Sequence, residues 1–341
     1  MHWRTSPDSI TGRLKAVAVR ILTLDAGLEE AATRLRGGQL VAFPTETVYG
    51  LGANALNANA VAAIFTAKGR PSTNPVIVHV ADIGAARALS ADWTPLAEVL
   101  AQRFWPGPLT LVVRAASDVP SIVMAGGTTV GIRIPAHRGA RALIAAAGCP
   151  VAAPSANRSE ATSPTQAQHV AGGLGAWVDD LLILDGGACH IGIESTVVDA
   201  TGASAVILRL GDVSAADIAE VVAVAEKADV RGAGPVRSPG QALRHYAPHC
   251  PVDVLPAGVQ PDPDAMSGTD VWLLWIGENP PIGERILPLG VQPKEVAAKL
   301  YAGLHLADDA GAQRIVIAGL PNGADWAAVT DRLRRAAVTK P

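Results

Sequence analysis

Cysteine is scarce in this 341-residue chain, and the three present, Cys149, Cys189 and Cys250, lie far apart with no CxxC pair among them. That spacing argues against a disulfide framework or a structural zinc site and fits a reducing compartment. Aromatic residues make up 4% of the sequence and charged residues 17%, against 49% apolar. Such a chain can bury a substantial core and is not disordered as a whole. Bulk positive charge is missing too. Its 28 Lys plus Arg against 31 Asp plus Glu leave a net charge of −3, which argues against coating nucleic acid by electrostatics alone. No segment approaches about eighteen uninterrupted apolar residues, the length a spanning helix needs. The N-terminal MHWRTSPDSITGRLKAVAVR has no apolar core of signal-peptide length. The expectation is a soluble, cytoplasmic protein with no membrane association. GxxxxGK followed by Ser or Thr, HExxH and GxSxG are all absent, so no ordinary phosphate-binding loop, helical zinc motif or serine-hydrolase elbow is present.

What is there is alternation. Two domains are the natural division at this length. From residue 21 to about 227, Val/Ile-rich runs alternate with alanine-rich runs of helical spacing. The predicted strands are LVAF (40–43), VIVHV (76–80), LTLVV (109–113), TVGIRI (129–134), PVAAP (150–154), STVVD (195–199) and AVILRL (205–210). The predicted helices cover 27–36, 58–67, 95–102, 138–147, 164–171 and 215–225. The texture then changes: VRGAGPVRSPGQALRHYAPHCP (230–251) holds several Gly and Pro and reads as a linker. Beyond it, VDVL, VWLLWIG, RILPLG and RIVIAGL, with helical runs at 294–310 and 325–337, form a second α/β unit. The expected layout is a lead-in (1–20), a large α/β domain (21–227), a linker (228–250) and a small α/β domain (251–341).

Among the motifs, Gly50-Leu51-Gly52-Ala53-Asn54-Ala55 fits GxGxxA, but six residues separate it from the preceding strand and no acid follows about twenty residues on, as a dinucleotide fingerprint requires. AKGRPSTNPVIVHV (67–80) is more telling. Lys68 ends a helix, where a cation is favoured by the macrodipole alone. Gly69 is placed to cap it, and Pro71 and Pro75 stiffen the exit. On the following strand Val76, Val78 and Val80 share one face, with Ile77 and His79 on the other. The same device recurs with Arg133 in TVGIRI and Arg209 in AVILRL. Each arginine alone could snorkel at a sheet edge, but together they point to one sheet face lined for anions. Hydroxyls and amides cluster in PTETVYG (44–50), PSANRS (154–159), SPT (163–165) and ESTVVD (194–199). An N-cap is expected within Ser163-Pro164, whereas PSAN enters no obvious helix.

With PTETVYGLGANA, KGRPSTNPVIVHV, FWPGPLTLV, VGIRIPAH, APSANRS followed by ATSPT, and ESTVVD in this order, the sequence resembles the YrdC-like family. The downstream unit and HYAP (245–248) resemble the longer members, the threonylcarbamoyl-AMP synthases. The resemblance implies a YrdC-like twisted mixed sheet with flanking helices and a smaller Rossmann-like α/β C-terminal domain. It also implies a nucleotidyl transfer in which L-threonine, bicarbonate or CO2, and ATP give threonylcarbamoyl-AMP and pyrophosphate. The product would pass to the tRNA threonylcarbamoyl transferase complex that makes threonylcarbamoyladenosine, and tRNA contact is possible.

Carried over position by position, Lys68 and Arg70 match the family's KxR pair, for phosphate charge. Asn74, Ser155 or Asn157, Thr165 and Arg209 match nucleotide contacts, and Tyr246 a linker residue folding over the nucleotide. Thr47, His79, Arg133 and Ser195 match threonine contacts, Arg133 being the candidate carboxylate partner; Ser155 and Thr196 fit either substrate. Before HYAP, Gln241-Ala242-Leu243 depart from the family's Met-Lys-Tyr-like approach. Mg2+ is expected through ATP's phosphates, with no metal ligand from the protein. Two other readings stand beside this one: a double-stranded RNA or tRNA-binding module, and a carbamoyl-adenylate-forming carbamoyltransferase.

Overall fold

The computed structural model describes residues 19–225, 245–262, 266 and 270–338. The lead-in up to residue 18, most of the expected linker and the Gln241-Ala242-Leu243 departure lie outside the described residues.

The large unit runs β1 (Val19–Thr23), α1 (Leu24–Arg36), β2 (Val41–Phe43), β3 (Gly50–Asn54), α2 (Ala58–Lys68), β4 (Ile77–His79), α3 (Ile83–Ala88) and β5 (Ser90–Asp92). It continues through α4 (Pro95–Phe104), β6 (Leu109–Ala115), β7 (Thr129–Arg133), α5 (Arg138–Ala147), β8 (Val151–Ala152), α6 (Ala167–Leu174), β9 (Leu181–Asp185), β10 (Thr196–Asp199), β11 (Val206–Arg209) and α7 (Ala215–Ala219). Its sheet has the order β1-β9-β2-β3-β8-β4-β7-β6-β10-β11, with β5 pairing β6 off the path. The directions are mixed: β4 and β7 run parallel, with His79 beside Arg133, while β10 and β11 are antiparallel.

Local chemistry sets the element ends. Asn57 caps α2 by accepting from the amides of Asn59 and Ala60. Gly69 closes the same helix at φ 58°, a left-handed conformation that glycine adopts without a steric penalty. Val76, Val78, Val80, Val130, Ile132 and Ile134 all enter the main apolar core. The period-2 pattern thereby leaves Ile77, His79 and Arg133 on the opposite face.

The predicted strands all form within two residues of their expected limits, but β1, which begins inside the expected lead-in, α3, β5 and β9 were not anticipated, and the expectation fails in three further places. The glycine run at 50–54 is itself a strand, antiparallel to β2. The sixth helix starts at Ala167 rather than 164, because Ser163 and Pro164 have other partners: the Ser163 hydroxyl donates to Glu194 and the Pro164 carbonyl accepts from Tyr49 N–H. The expected N-cap at 163–164 falls instead on Gln166, which makes no side-chain cap. The helix expected over 215–225 ends at Ala219.

The small unit comprises β12 (Val252–Pro256), β13 (Val271–Ile276), β14 (Ile286–Gly290), α8 (Pro293–Asp309), β15 (Arg314–Leu320) and α9 (Ala327–Ala336). Its four strands are all parallel, in the order β12-β15-β13-β14. The apolar cluster of this unit also takes in Val48, Ile193 and Tyr246, so one core spans the junction with the large unit. Gly192 lies so close to Ala297 and Ala298 of α8 that any Cβ there would overlap their backbone.

Candidate active site

A cavity of about 570 Å³, including its open mouth, lies where the polar strand face meets the junction. β2 hands over to the PTET turn, which brings Thr45, Thr47 and Val48 to the cavity. Ile77 and His79 come from β4, Arg133 from β7, Ser155 from the turn after β8, Ser195 from the entry to β10 and Arg209 from β11. Arg70 enters from the turn after α2, and His245 and Tyr246 complete the lining.

The PTET turn is built around Arg133. Glu46 Oε1 accepts from Arg133 Nη2 at 2.6 Å, Thr47 Oγ1 from Nη1 at 2.9 Å, and the Gly107 carbonyl from Nε at 3.1 Å. Burial alone would raise the Glu46 carboxyl, but the Arg133 charge and backbone amides outweigh it and hold it at about 2. Three fixed contacts orient the guanidinium and leave one further N–H on each Nη. His79 is fully buried, its ring edge-on to Phe43 with centroids 6.3 Å apart. Burial, reinforced by the Arg133 charge, pushes it down to about 3, so the imidazole is neutral at physiological pH.

Arg70 folds back on its own turn, donating to the carbonyls of Asn74 (Nε, 3.1 Å) and Pro75 (Nη2, 2.6 Å). Burial and the nearby Arg209 charge bring it down to about 10, the signature of guanidiniums gathered in a low-dielectric space. Arg209 donates to the Ser195 carbonyl (Nε, 3.0 Å) and hydroxyl (Nη2, 3.1 Å). Buried Arg209 and half-buried Arg70 thus converge on one cavity, a lining whose charge favours anions.

Eight of the thirteen residues singled out in the sequence line this cavity: Thr47, Arg70, His79, Arg133, Ser155, Ser195, Arg209 and Tyr246. The other five stand behind the lining. Lys68 is buried and its ammonium donates to the carbonyls of Ser155 (2.6 Å) and Asn157, pinning the PSAN turn to the end of α2. Desolvation, with Arg70 and Arg158 nearby, drives its pKa well below the usual lysine value. Asn157 Nδ2 donates to the carbonyls of Arg158 and Ala161. Thr196 Oγ1 donates to the Val213 carbonyl at 2.7 Å, and Thr165 sits against His169. Asn74 presents its carbonyl to Arg70, while its Oδ1, like Asn157 Oδ1, is buried without a protein partner.

Three functional groups escaped the sequence reading: Glu46, Glu194 and His245. Glu46 and Glu194 lie inside quoted motifs but their partners are distant in sequence. His245 precedes Tyr246 and is likewise held down at about 3 by burial. Tyr246 adopts φ 64°, a conformation that costs a bulky residue about 1–3 kcal/mol. Its ring stacks on Tyr301 with centroids 5.6 Å apart.

Comparison with known proteins matches this geometry to a family. The family model described as "Telomere recombination" covers residues 33–211, and that described as "Threonylcarbamoyl-AMP synthase, C-terminal domain" covers residues 213–338. The threonylcarbamoyl-AMP synthase of Pyrococcus abyssi is 40% identical, across 90% of this chain and 92% of its own. The chain belongs to the threonylcarbamoyl-AMP synthase family. The Bacillus subtilis threonylcarbamoyl-AMP synthase is 39% identical over 94% of this chain and 96% of its own. A crystal structure of P. abyssi Sua5 complexed with L-threonine superposes with TM-score 0.82 at 37% identity, covering 94% of this chain and 97% of that one. The threonylcarbamoyl-AMP synthase of Halorhodospira halophila matches only 46% of this chain while using 81% of its own length. A relative that short cannot hold counterparts of both matched regions, so the family includes chains without the small unit.

Proposed function

We propose that this chain makes threonylcarbamoyl-AMP from L-threonine, bicarbonate or CO2, and ATP, releasing pyrophosphate. The observation that carries this reading is the convergence of Arg70, Arg133 and Arg209 on one cavity, with Arg133 held in a fixed orientation and Arg209 close enough to lower the pKa of Arg70.

The chemistry asks the protein for alignment, charge neutralisation and exclusion of water. Threonine's amine adds to CO2 and loses a proton, giving a carbamate. A carbamate oxygen then attacks the α-phosphorus of ATP; the new O–P bond forms as the bond to the β-phosphate oxygen breaks and pyrophosphate leaves. No covalent protein intermediate is needed. Arg133, steadied by Glu46 and Thr47, would take the threonine carboxylate, with the neutral His79 beside it on the next strand. Arg70 and Arg209 would take phosphate charge, and Ser155 and Ser195 would offer hydroxyls between the two substrates. Tyr246 and His245 would cover the nucleotide.

Glu194 in the lining and Glu46 behind it each already accept from an arginine, so phosphate oxygens are the hard donors that would bring Mg2+ in with ATP, further neutralising the polyphosphate. The product would feed the complex that modifies tRNA adenosine. Among the described residues no helix is long and apolar enough to cross a membrane, in keeping with work beside that complex in the cytoplasm.

The test is mass-spectrometric detection of threonylcarbamoyl-AMP from the purified chain. The product should appear with all three substrates and disappear when ATP, bicarbonate or threonine is omitted. Product that forms without threonine, or not at all, overturns the proposal.

A further inference from the structure

Glu194 is a buried carboxylate in the lining of a cavity that has to take a polyanion. Left unpaired it would repel phosphate and compete for the same arginines. Its partners come mostly from the small unit. Oε2 accepts from Arg332 Nε of α9 at 2.9 Å and from the Tyr301 hydroxyl of α8 at 3.1 Å, while Oε1 accepts from the Ser163 hydroxyl at 2.6 Å. Arg332 is fully buried, and Glu194 and the tyrosines around it raise its pKa against the pull of burial. The same guanidinium donates from Nη2 to the Leu210 carbonyl at 2.7 Å, one residue past Arg209. It also lies over the Tyr246 ring, 5.3 Å from its centroid. One side chain of the small unit thus touches the Glu194 carboxylate, the end of the strand carrying Arg209, and the ring proposed to cover the nucleotide.

We propose that Arg332, assisted by Tyr301, is the positioning residue through which the small unit controls ATP affinity, by holding the Glu194 carboxylate paired so that Arg209 and Arg70 face the phosphates. Resting on the function proposed above, this gives the small unit a task in the longer members, one that members too short to carry it must meet another way. ATP binding and docking of the two units are then coupled: whatever separates α9 from Glu194 releases a negative charge into the nucleotide site.

The experiment is titration calorimetry of ATP on the full chain, with KM for ATP and for threonine measured beside it. Arg332→Met should weaken ATP binding about tenfold or more, a change of about 1.4 kcal/mol per tenfold, and leave the threonine KM within about twofold. Adding Glu194→Gln should recover most of the lost affinity, because the double variant no longer carries the unpaired charge. Tyr301→Phe, a milder change that keeps the ring packing, should weaken ATP binding about threefold in the wild-type background and not in the Glu194→Gln background. Arg332→Met with wild-type ATP affinity overturns the inference, as does a double variant no better than Arg332→Met alone. If Arg332→Met does not fold, the Tyr301→Phe pair decides: equal effects in both backgrounds reject the inference. The wild-type arm separates the two proposals, since a wild type that binds ATP but yields no threonylcarbamoyl-AMP sinks the function and leaves the coupling to be read from the titrations.

Discussion

Arg70 and Lys68 sit two residues apart yet do different work, and their variants should show it. Arg70 lines the cavity, so Arg70→Ala should lower kcat/KM about 100- to 1000-fold, the effect of removing one preorganised electrostatic donor. Some stability should go as well, because the Asn74 and Pro75 carbonyls lose their donor, but the loss of activity should be much the larger effect. Lys68 holds two carbonyls of the PSAN turn, so Lys68→Met should lose activity and stability together, by about 1–3 kcal/mol for each orphaned acceptor. Threonine-dependent pyrophosphate release beside thermal unfolding separates the two; an Arg70→Ala enzyme with normal turnover would remove Arg70 from phosphate binding. Glu46→Gln should be costlier still, about 3–5 kcal/mol in urea denaturation with a raised threonine KM, because it takes the counter-charge from a buried arginine. Arg133, Arg209 and His79 were legible in the sequence because each breaks an apolar strand pattern locally, and Arg70 because a Gly/Pro-stiffened turn crowds it with other polar groups. Glu46 and Glu194 were not: their arginines lie 87 and 138 positions away, and no local pattern encodes a pairing at that distance.

Strands and helices were readable wherever one period dominated, and misread where a segment served the site. The 163–165 segment looks like the start of a helix, but its hydroxyl and carbonyl are committed to Glu194 and Tyr49. β3 hid behind its glycines. Two of them face bulk: a Cβ at Gly52 would press on Phe43 at 2.7 Å, so a small residue is a packing requirement here and no sign of a dinucleotide turn. Gly211, just beyond β11, follows the same logic closer to the chemistry. A Cβ there would lie 2.6 Å from the Glu194 carbonyl oxygen and the Ser195 carbonyl carbon and overlap the Thr196 amide. Gly211→Ala should therefore push the entry of β10 away from the end of β11, spreading Ser195 from Arg209. The expected cost is about 1–3 kcal/mol of stability together with a weaker ATP KM. Unchanged values for both would mean that this close approach is not needed.

Strand order could not be read from the chain, because β9 inserts between β1 and β2 by pairings that span well over a hundred residues. The same long-range closure makes acid sensitivity a property of the whole molecule. His79 from the large unit and His245 from the segment leading into the small one are both buried beside cationic groups and held at about 3, below the ordinary value of 6.5. With folded values depressed, the unfolded chain binds more protons between those limits. Stability is therefore full above about pH 6.5 and falls as the pH drops towards 3. Each histidine contributes a slope of about 1.4 kcal/mol per pH unit. Below 4.5 Glu46 adds to the loss in the same direction, since its folded value of about 2 also lies under its ordinary one. Urea denaturation at pH 7, 6 and 5 should show the decline well before the carboxylates titrate. Replacing His79 with Asn should lower stability at pH 7 yet flatten the dependence between pH 6 and 5 by about one histidine's share. His245→Asn should do the same independently, and their effects on the slope should add. His169, also held at about 3 by burial and the neighbouring His305, keeps part of the slope in place. A slope undiminished by both replacements would mean that neither His79 nor His245 is kept neutral by the fold, and the dry, positively lined cavity inferred from them would have to be abandoned.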